Sequence, residues 1–318
     1  MKPRIVIILG PTGTGKSEVA IDVALQVDGE VINADSQLVY RHMDIGTAKP
    51  PASVRQKVAH HLIDVVDPDG EFNAALYREL ALKVIQDITA RRKKAIVCGG
   101  TGLYMRALTQ GLFVGPAKNP EVRKRLEEEA RERGSDFLYQ RLRQVDPDAT
   151  DRIHPNDRYR IIRALEVFEL TGKGISRWQK EHGFKESAFE VLKIGLNRER
   201  EELYALINRR CDEMIGRGLV DEVNGLVERG YSLDLPALQS VGYRQIGLYL
   251  RGRVALDEAV ALMKRDTRHL AKRQLTWFRA DKEILWFHPE KDRRKILETA
   301  KEFFANGRET LTKEFTSK

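Results

Sequence analysis

Cysteine is almost missing from this chain: of its 318 residues only Cys98 and Cys211 are cysteines. Two thiols this far apart, with no metal-ligand spacing around them, exclude a disulfide framework and a cysteine metal site, and they point to a reducing cytoplasm. Long apolar runs are missing too. None exceeds residues 5–9, against the roughly 20 residues of a membrane-spanning helix, so no membrane attachment is expected. The amino terminus shows no charged, apolar, small-residue leader, because residues 4–10 run straight into a motif that must stay attached. No internal repeat and no low-complexity tract is visible. What is there suffices for a core: 42% of the residues are apolar, and the length suits two domains or one with a large insertion. The net charge of +8 is concentrated late, residues 191–318 holding 25 basic and 20 acidic groups. Such a surplus suits a polyanionic partner such as RNA, although many plain enzymes share it.

Residues 4–9 read as a buried parallel strand and 17–27 as a helix, with Val19, Ala20, Val23, Ala24 and Val27 at helical spacing. Residues 30–34 form a second strand that ends at Asp35. Leu76, Leu80, Val84 and Ile88 mark the buried stripe of a long helix, whose basic tail at 91–94 suits a helix carboxyl terminus. Another strand at 95–98 leads into Gly99-Gly100-Thr101-Gly102. This alternation predicts an α/β fold: a P-loop NTPase-like core, its parallel sheet flanked by helices. After Gly115-Pro116 the texture becomes purely helical. A helix over 120–133 has Asn119 as its cap and Gly134 as its stop, and two more cover 136–145 and 157–171. The spacing therefore predicts an all-helical insertion at 116–190 within a core of 1–115 and 191–318. Further helices are expected at 199–216, 219–229 and 257–279, a last strand at 283–287, and a mobile polar tail over the final dozen residues.

The sharpest local signal is Gly10-Pro11-Thr12-Gly13-Thr14-Gly15-Lys16-Ser17, which fits G-x-x-x-x-G-K-[ST] after a buried strand and at the start of a helix. The glycines let backbone N–H groups curl around phosphate oxygens, and the helix amino terminus adds its positive end. Lys16 supplies a point charge, and Ser17 a hydroxyl for Mg²⁺. A nucleoside triphosphatase usually adds a Walker-B strand ending in Asp; the strand at 95–98 ends in Gly-Gly-Thr instead. Ligands of open parallel sheets bind at the carboxyl ends of strands, so Asp35 and Thr101 should both face the loop. An Asp after a strand is often only a turn former, and the phosphate site beside it shifts the reading towards a catalytic carboxylate.

Together these segments resemble the tRNA dimethylallyltransferase (isopentenyltransferase) family. The pieces that carry the resemblance are the loop, Asp35-Ser36-Gln37-Leu38-Val39-Tyr40-Arg41, Asp44-Ile45-Gly46-Thr47-Ala48-Lys49-Pro50 and His60-His61-Leu62-Ile63-Asp64. They continue with Gly99-Gly100-Thr101-Gly102-Leu103-Tyr104, His154-Pro155-Asn156-Asp157, Arg163-Ala164-Leu165-Glu166 and Met214-Ile215-Gly216-Arg217-Gly218-Leu219. Gly242-Tyr243 and Ala271-Lys272-Arg273-Gln274-Leu275-Thr276-Trp277-Phe278-Arg279 close the series. The resemblance implies transfer of a five-carbon group from dimethylallyl diphosphate to N6 of the adenosine 3′ of the anticodon in tRNA, with Mg²⁺ on the leaving diphosphate. It assigns catalysis to Asp35 as general base, to Thr101 and to Arg217, which in isolation looks like a helix-end cation. Residues Gly10, Pro11, Thr12, Gly13, Thr14, Gly15, Lys16 and Ser17 would hold diphosphate. The tRNA contacts map onto Asp35, Ser36, Gln37, Leu38, Thr101, Arg123, Tyr159, Arg160, Ile161, Ile162 and Arg163. Arg123 could instead pair with Glu127 one turn on.

The basic run Lys264, Arg265, Arg268, Lys272, Arg273 and Arg279 reads either as a solvated face or as a phosphate track for the anticodon stem. The acceptor base would have to be flipped into a channel. The enzyme is expected to work as a monomer. Three rivals stay open: a dimethylallyltransferase of free AMP or ATP, a P-loop kinase of small metabolites, and a GTP-gated RNA-binding factor. The guanine-selecting Asn-Lys-x-Asp tetrapeptide that the last would need does not occur.

Overall fold

A computed structural model describes residues 2–112, 115–183 and 188–308; the tail from 309 onward lies outside the described residues. Contacts divide the chain into two compact units, Met1–Thr109 with Ser187–Lys318, and Gln110–Glu186. The first unit is built on six parallel strands: β1 (Arg4–Leu9), β2 (Gly29–Asn33), β3 (His60–His61), β4 (Lys94–Gly99), β5 (Glu190–Leu196) and β6 (Ile284–Phe287). Their order across the sheet is β3-β2-β4-β1-β5-β6. β1 therefore lies between β4 and β5, with Ile5 opposite Ala95 on one side and Val191 on the other. Its continuous apolar sequence follows from that place. Val6 and Ile8 face Val19 and Val23 of α1 (Lys16–Val27), while Ile5, Ile7 and Leu9 face the opposite layer, so no side chain of 5–9 meets water.

Short α2 (Ala52–Lys57), then α3 (Ala74–Ala90) and α4 (Gly102–Gln110), follow in chain order. On α3 the buried stripe is Tyr77, Ala81, Ile85 and Ile88, while Leu76, Leu80 and Val84 flank it half-buried. Ile88 is buried as expected, and the other three expected positions are one residue out of phase: the apolar arc is broad, and the stacked Tyr77–Tyr104 pair lies on the buried side. The basic tail of α3 does more than complement a helix end. Arg91 grips the buried Glu30 carboxylate with both terminal nitrogens, at 2.5 and 2.8 Å.

The second unit holds α5 (Pro120–Arg133), α6 (Ser135–Val145), α7 (Pro147–Thr150), α8 (Arg158–Thr171) and α9 (Ile175–His182) around Leu126, Leu138, Leu142, Ile161 and Leu165. Asn119 caps α5 by accepting from the N–H groups of Glu121 and Val122. In the first unit follow α10 (Arg200–Gly216), α11 (Leu219–Glu228), α12 (Tyr243–Leu250), α13 (Leu256–Arg279) and α14 (Arg293–Asn306). A third apolar cluster joins Val39 and Met43, just beyond β2, to Leu203 and Ile207 of α10 and Met263 of α13. That cluster fixes two helices over the carboxyl ends of the strands.

Candidate active site

Gly10 leaves β1 with a Cα so close to β5 that an added Cβ would stand 2.5 Å from the Leu196 carbonyl oxygen. Gly13 and Gly15 take φ values of 85°, and Gly15 starts α1 without a side-chain cap, which leaves its first N–H groups for an anion. The buried Thr14 hydroxyl and Lys16 Nζ both donate to the Pro11 carbonyl at 2.8 Å. Burial lowers the Lys16 ammonium to about 8, against the opposing pull of the Asp35 carboxylate.

Asn33 shapes the end of β2. Its Oδ1 accepts the Asp35 N–H at 2.9 Å, and its Nδ2 donates to the Asp35 and Leu62 carbonyls. Asp35 Oδ1 then accepts the Gln37 N–H at 2.9 Å, which leaves Oδ2 without a partner among the described residues. Thr101, just past β4, accepts the Ser36 N–H at 3.0 Å through its hydroxyl and donates its own N–H to Ala34. Gln274 of α13 joins these loops to the phosphate cradle, accepting from Thr12 N–H at 2.8 Å and donating to the Gly100 carbonyl at 3.0 Å.

These groups open on one cavity of about 600 Å³. Its walls are Thr12, Asp35, Ser36, Gln37, Gly100 and Thr101 on the strand side. Ile207, Arg210, Cys211 and Met214 of α10, and Leu270, Arg273 and Gln274 of α13, face them. Gln37, a wall residue, has its Oε1 buried without a hydrogen-bond partner among the described residues. A further wall, Gly46-Thr47, is held from behind by Glu222, whose carboxylate accepts the N–H groups of Asp44, Ile45 and Gly46 and the Tyr243 hydroxyl at 2.6–3.1 Å. Burial and that carboxylate push the Tyr243 phenol far up, so it remains a neutral donor.

Sequence reasoning missed Arg210. It is half-buried, with no carboxylate within ion-pair distance among the described residues; burial lowers its pKa, while Asp35 works in the opposite direction. A guanidinium stays charged through such a shift. The signal was its spacing, since 207, 210, 211 and 214 share one helical face. Arg217, the cation assigned by resemblance, is instead exposed as the carboxyl-terminal cap of α10 and does not line the cavity. Leu38 does not line it either; its carbonyl accepts the Asp64 N–H. No described group of three or more His, Cys, Asp or Glu side chains could hold a metal alone. Ser17, exposed on the first turn of α1, keeps a free hydroxyl among the described residues. That single hard oxygen beside a phosphate loop suits Mg²⁺, which retains water and phosphate oxygens as its other ligands.

In the second unit the expected RNA contacts separate. Ile161 and Ile162 are buried in its core, while Tyr159, which is 66% exposed, and Arg160 stand on its surface. Arg123 pairs with Glu166 at 3.0 Å, not with Glu127, and lies 5.5 Å from the Tyr159 ring centroid. Arg163 bonds the same Glu166 at 2.6 Å and the Pro116 carbonyl at 2.8 Å. Burial raises the Glu166 pKa, but Arg123, Arg163 and the Asn119 N–H outweigh it and hold the carboxyl below its ordinary range. The stability it contributes is therefore complete above the ordinary carboxylate pKa and is lost as pH falls through the folded value. Glu166→Ala, which strands two arginines, is expected to cost about 3 kcal/mol, read as a lowered thermal midpoint at neutral pH. Glu166→Gln should flatten the acid limb of the stability curve.

A phosphate loop with its lysine, a strand-end carboxylate and a cavity-lining arginine on a parallel sheet define a P-loop-type enzyme acting on a phosphorylated substrate. The IPP transferase family model matches residues 38–281, and the chain belongs to that family. It is 51% identical to tRNA dimethylallyltransferase 2 of Geotalea uraniireducens over 96% of this chain and 98% of that protein. It is 49% identical to tRNA dimethylallyltransferase of Geobacter metallireducens over 95% and 98%. The crystal structure of the full-length tRNA isopentenylpyrophosphate transferase of Bacillus halodurans is similar at a TM-score of 0.72 and 39% identity, over 99% of this chain and 100% of that one. A eukaryotic dimethylallyltransferase, described as acting on tRNA, gives 0.79 at 28% identity over 96% and 80%.

Proposed function

We propose that this protein is a tRNA dimethylallyltransferase in which Asp35 takes the proton from N6 of a flipped adenosine while residues 10–17, Lys16 and Arg210 hold the diphosphate of dimethylallyl diphosphate. The exocyclic amine of adenine is a weak nucleophile because its lone pair is delocalised into the ring. As N6 bonds to C1 of the allyl group, the C1–O bond breaks, its electron pair goes to the diphosphate, and the N6 proton passes to the free oxygen of Asp35. Lys16, Arg210 and the loop N–H groups face the charge that grows on the leaving group. Mg²⁺ carried by Ser17 and the diphosphate supplies further charge neutralisation when bound. Ser36, Gln37 and Thr101 offer hydrogen-bonding groups to the base edge. Tyr159, Arg160 and the Arg123–Tyr159 pair offer the helical unit's RNA surface. We place the enzyme in the cytoplasm as a monomer; its two free, buried thiols suit that compartment.

One observation carries this reading: a carboxylate with an unengaged oxygen shares a cavity with Arg210 and Arg273 beside a phosphate loop. Incubation with Mg²⁺, dimethylallyl diphosphate and unmodified tRNA, followed by digestion and mass measurement of the nucleosides, should yield dimethylallyladenosine. AMP as acceptor should yield none. Arg210→Leu should weaken diphosphate binding about tenfold or more, given the usual worth of a hydrogen bond to a charged group, whereas Arg217→Leu should leave it within about twofold, by calorimetry with inorganic diphosphate.

A further inference from the structure

The segment 271–279 supplies Arg273 and Gln274 to the cavity, yet its exposed aromatic residue, Trp277, takes no part in the site described above. Arg273 and Gln274 lie three and four residues after Leu270 and four and three before Trp277, so the four share one face of α13. The first three line the cavity, and Trp277 continues their face about one turn, or roughly 5 Å, beyond its rim. Its indole is 40% exposed. It rests on the backbone that follows Thr101: a Cβ at Gly102 would stand 2.2 Å from Trp277 Nε1, so glycine is what lets the ring settle there. Leu103, the next residue of α4, is 47% exposed.

The charges along α13 divide at this point. Up to residue 268, Lys264 pairs with Asp212, Arg265 with Asp266, and Arg268 bonds Asn208. In its second half Lys272, Arg273 and Arg279 are exposed, with no carboxylate within ion-pair distance among the described residues. Of these, Arg273 precedes Trp277 by four residues and shares its face, whereas Lys272 and Arg279 lie round the helix from it. An exposed ring with an unpaired cation one turn away is poorly suited to plain solvent. It suits an unstacked nucleobase between phosphates.

We propose that Trp277, seated on Gly102 beside the cavity mouth, is a stacking platform for a nucleotide adjacent to the acceptor adenosine of the anticodon loop. This rests on the tRNA reading above and adds a residue that positions the acceptor by holding its neighbour. Stacking on the indole compensates part of the cost of everting the acceptor, because the neighbour exchanges one π-face for another. Arg273 would meet a flanking phosphate, giving a contact that tolerates different bases.

The test measures affinity for an unmodified anticodon stem-loop by fluorescence anisotropy, with dimethylallyl diphosphate affinity in parallel. Trp277→Ala should weaken RNA binding about five- to hundredfold, the worth of one base–aromatic stack, while donor affinity and kcat at saturating RNA stay within about twofold. Trp277→Phe should restore most of the binding. An RNA made abasic on one side of the acceptor should bind wild type more weakly but bind Trp277→Ala without further loss, the signature of a coupled pair. RNA affinity of Trp277→Ala equal to wild type would overturn the platform and leave the enzyme's function standing. Equal loss of donor binding would also overturn it, by showing a structural role. A wild-type protein that fails to bind the stem-loop would overturn the tRNA reading itself.

Discussion

Asp35→Asn is expected to lower kcat by about 10²–10⁴-fold, the usual contribution of a positioned general base, without weakening donor binding. The substitution keeps the shape of the site. The carbonyl oxygen of the introduced amide can still accept the Gln37 N–H, and the Asn33 side chain still holds the turn from the strand side. What disappears is an oxygen able to carry the N6 proton. The charge change should even favour the donor, because Lys16 and Arg210 both lose the pull of a competing anion. A single-turnover assay with saturating tRNA, beside calorimetry with the donor, separates the two effects. Unchanged turnover would remove the base assignment, and collapse of donor binding would make Asp35 a binding residue.

Lys16→Ala should weaken diphosphate binding about ten- to hundredfold, as removal of a charge-assisted hydrogen bond does. The free protein offers a second signature. Because burial sets the Lys16 ammonium near 8, it is fully charged below that pH and neutral above it. An arriving diphosphate favours the charged form, so the ammonium titrates higher in the complex. Affinity should be level below about pH 8 and should fall as pH rises beyond it, by up to about tenfold per unit. Lys16→Arg keeps its charge throughout and should show a flat profile at reduced affinity. A profile for wild type that is equally flat to pH 9.5 (roughly a unit and a half above the Lys16 value) would exclude Lys16 from the cradle.

Much of this site was legible because its signals are local. The loop at 10–17 needs only eight neighbouring residues, and β1 is apolar on both faces because both are covered. The cap at Asn119 and the stop at Gly134 sit where their chemistry requires. What escaped depends on packing between distant segments. Leu76 and Tyr77 begin equally good stripes four residues apart, and only the ring of Tyr104 chooses between them. Arg210 looks like any surface arginine until α10 is laid against the phosphate loop, where Ile207 Cγ1 would be 3.0 Å from a Cβ at Gly13. Arg217, seven residues later, has the better-looking motif and faces water. In the same way Ile161 and Ile162 belong to a run with exposed neighbours but fill a core of their own.

The most direct test is a crystal structure of the protein with an anticodon stem-loop and a donor whose bridging oxygen is replaced so that it cannot ionise. The account places the adenine N6 within hydrogen-bond reach of Asp35 Oδ2, and the diphosphate on residues 10–17 in contact with Lys16 and Arg210. An adenine still stacked in its loop, or an amine whose nearest protein acceptor is some other side chain, would contradict it.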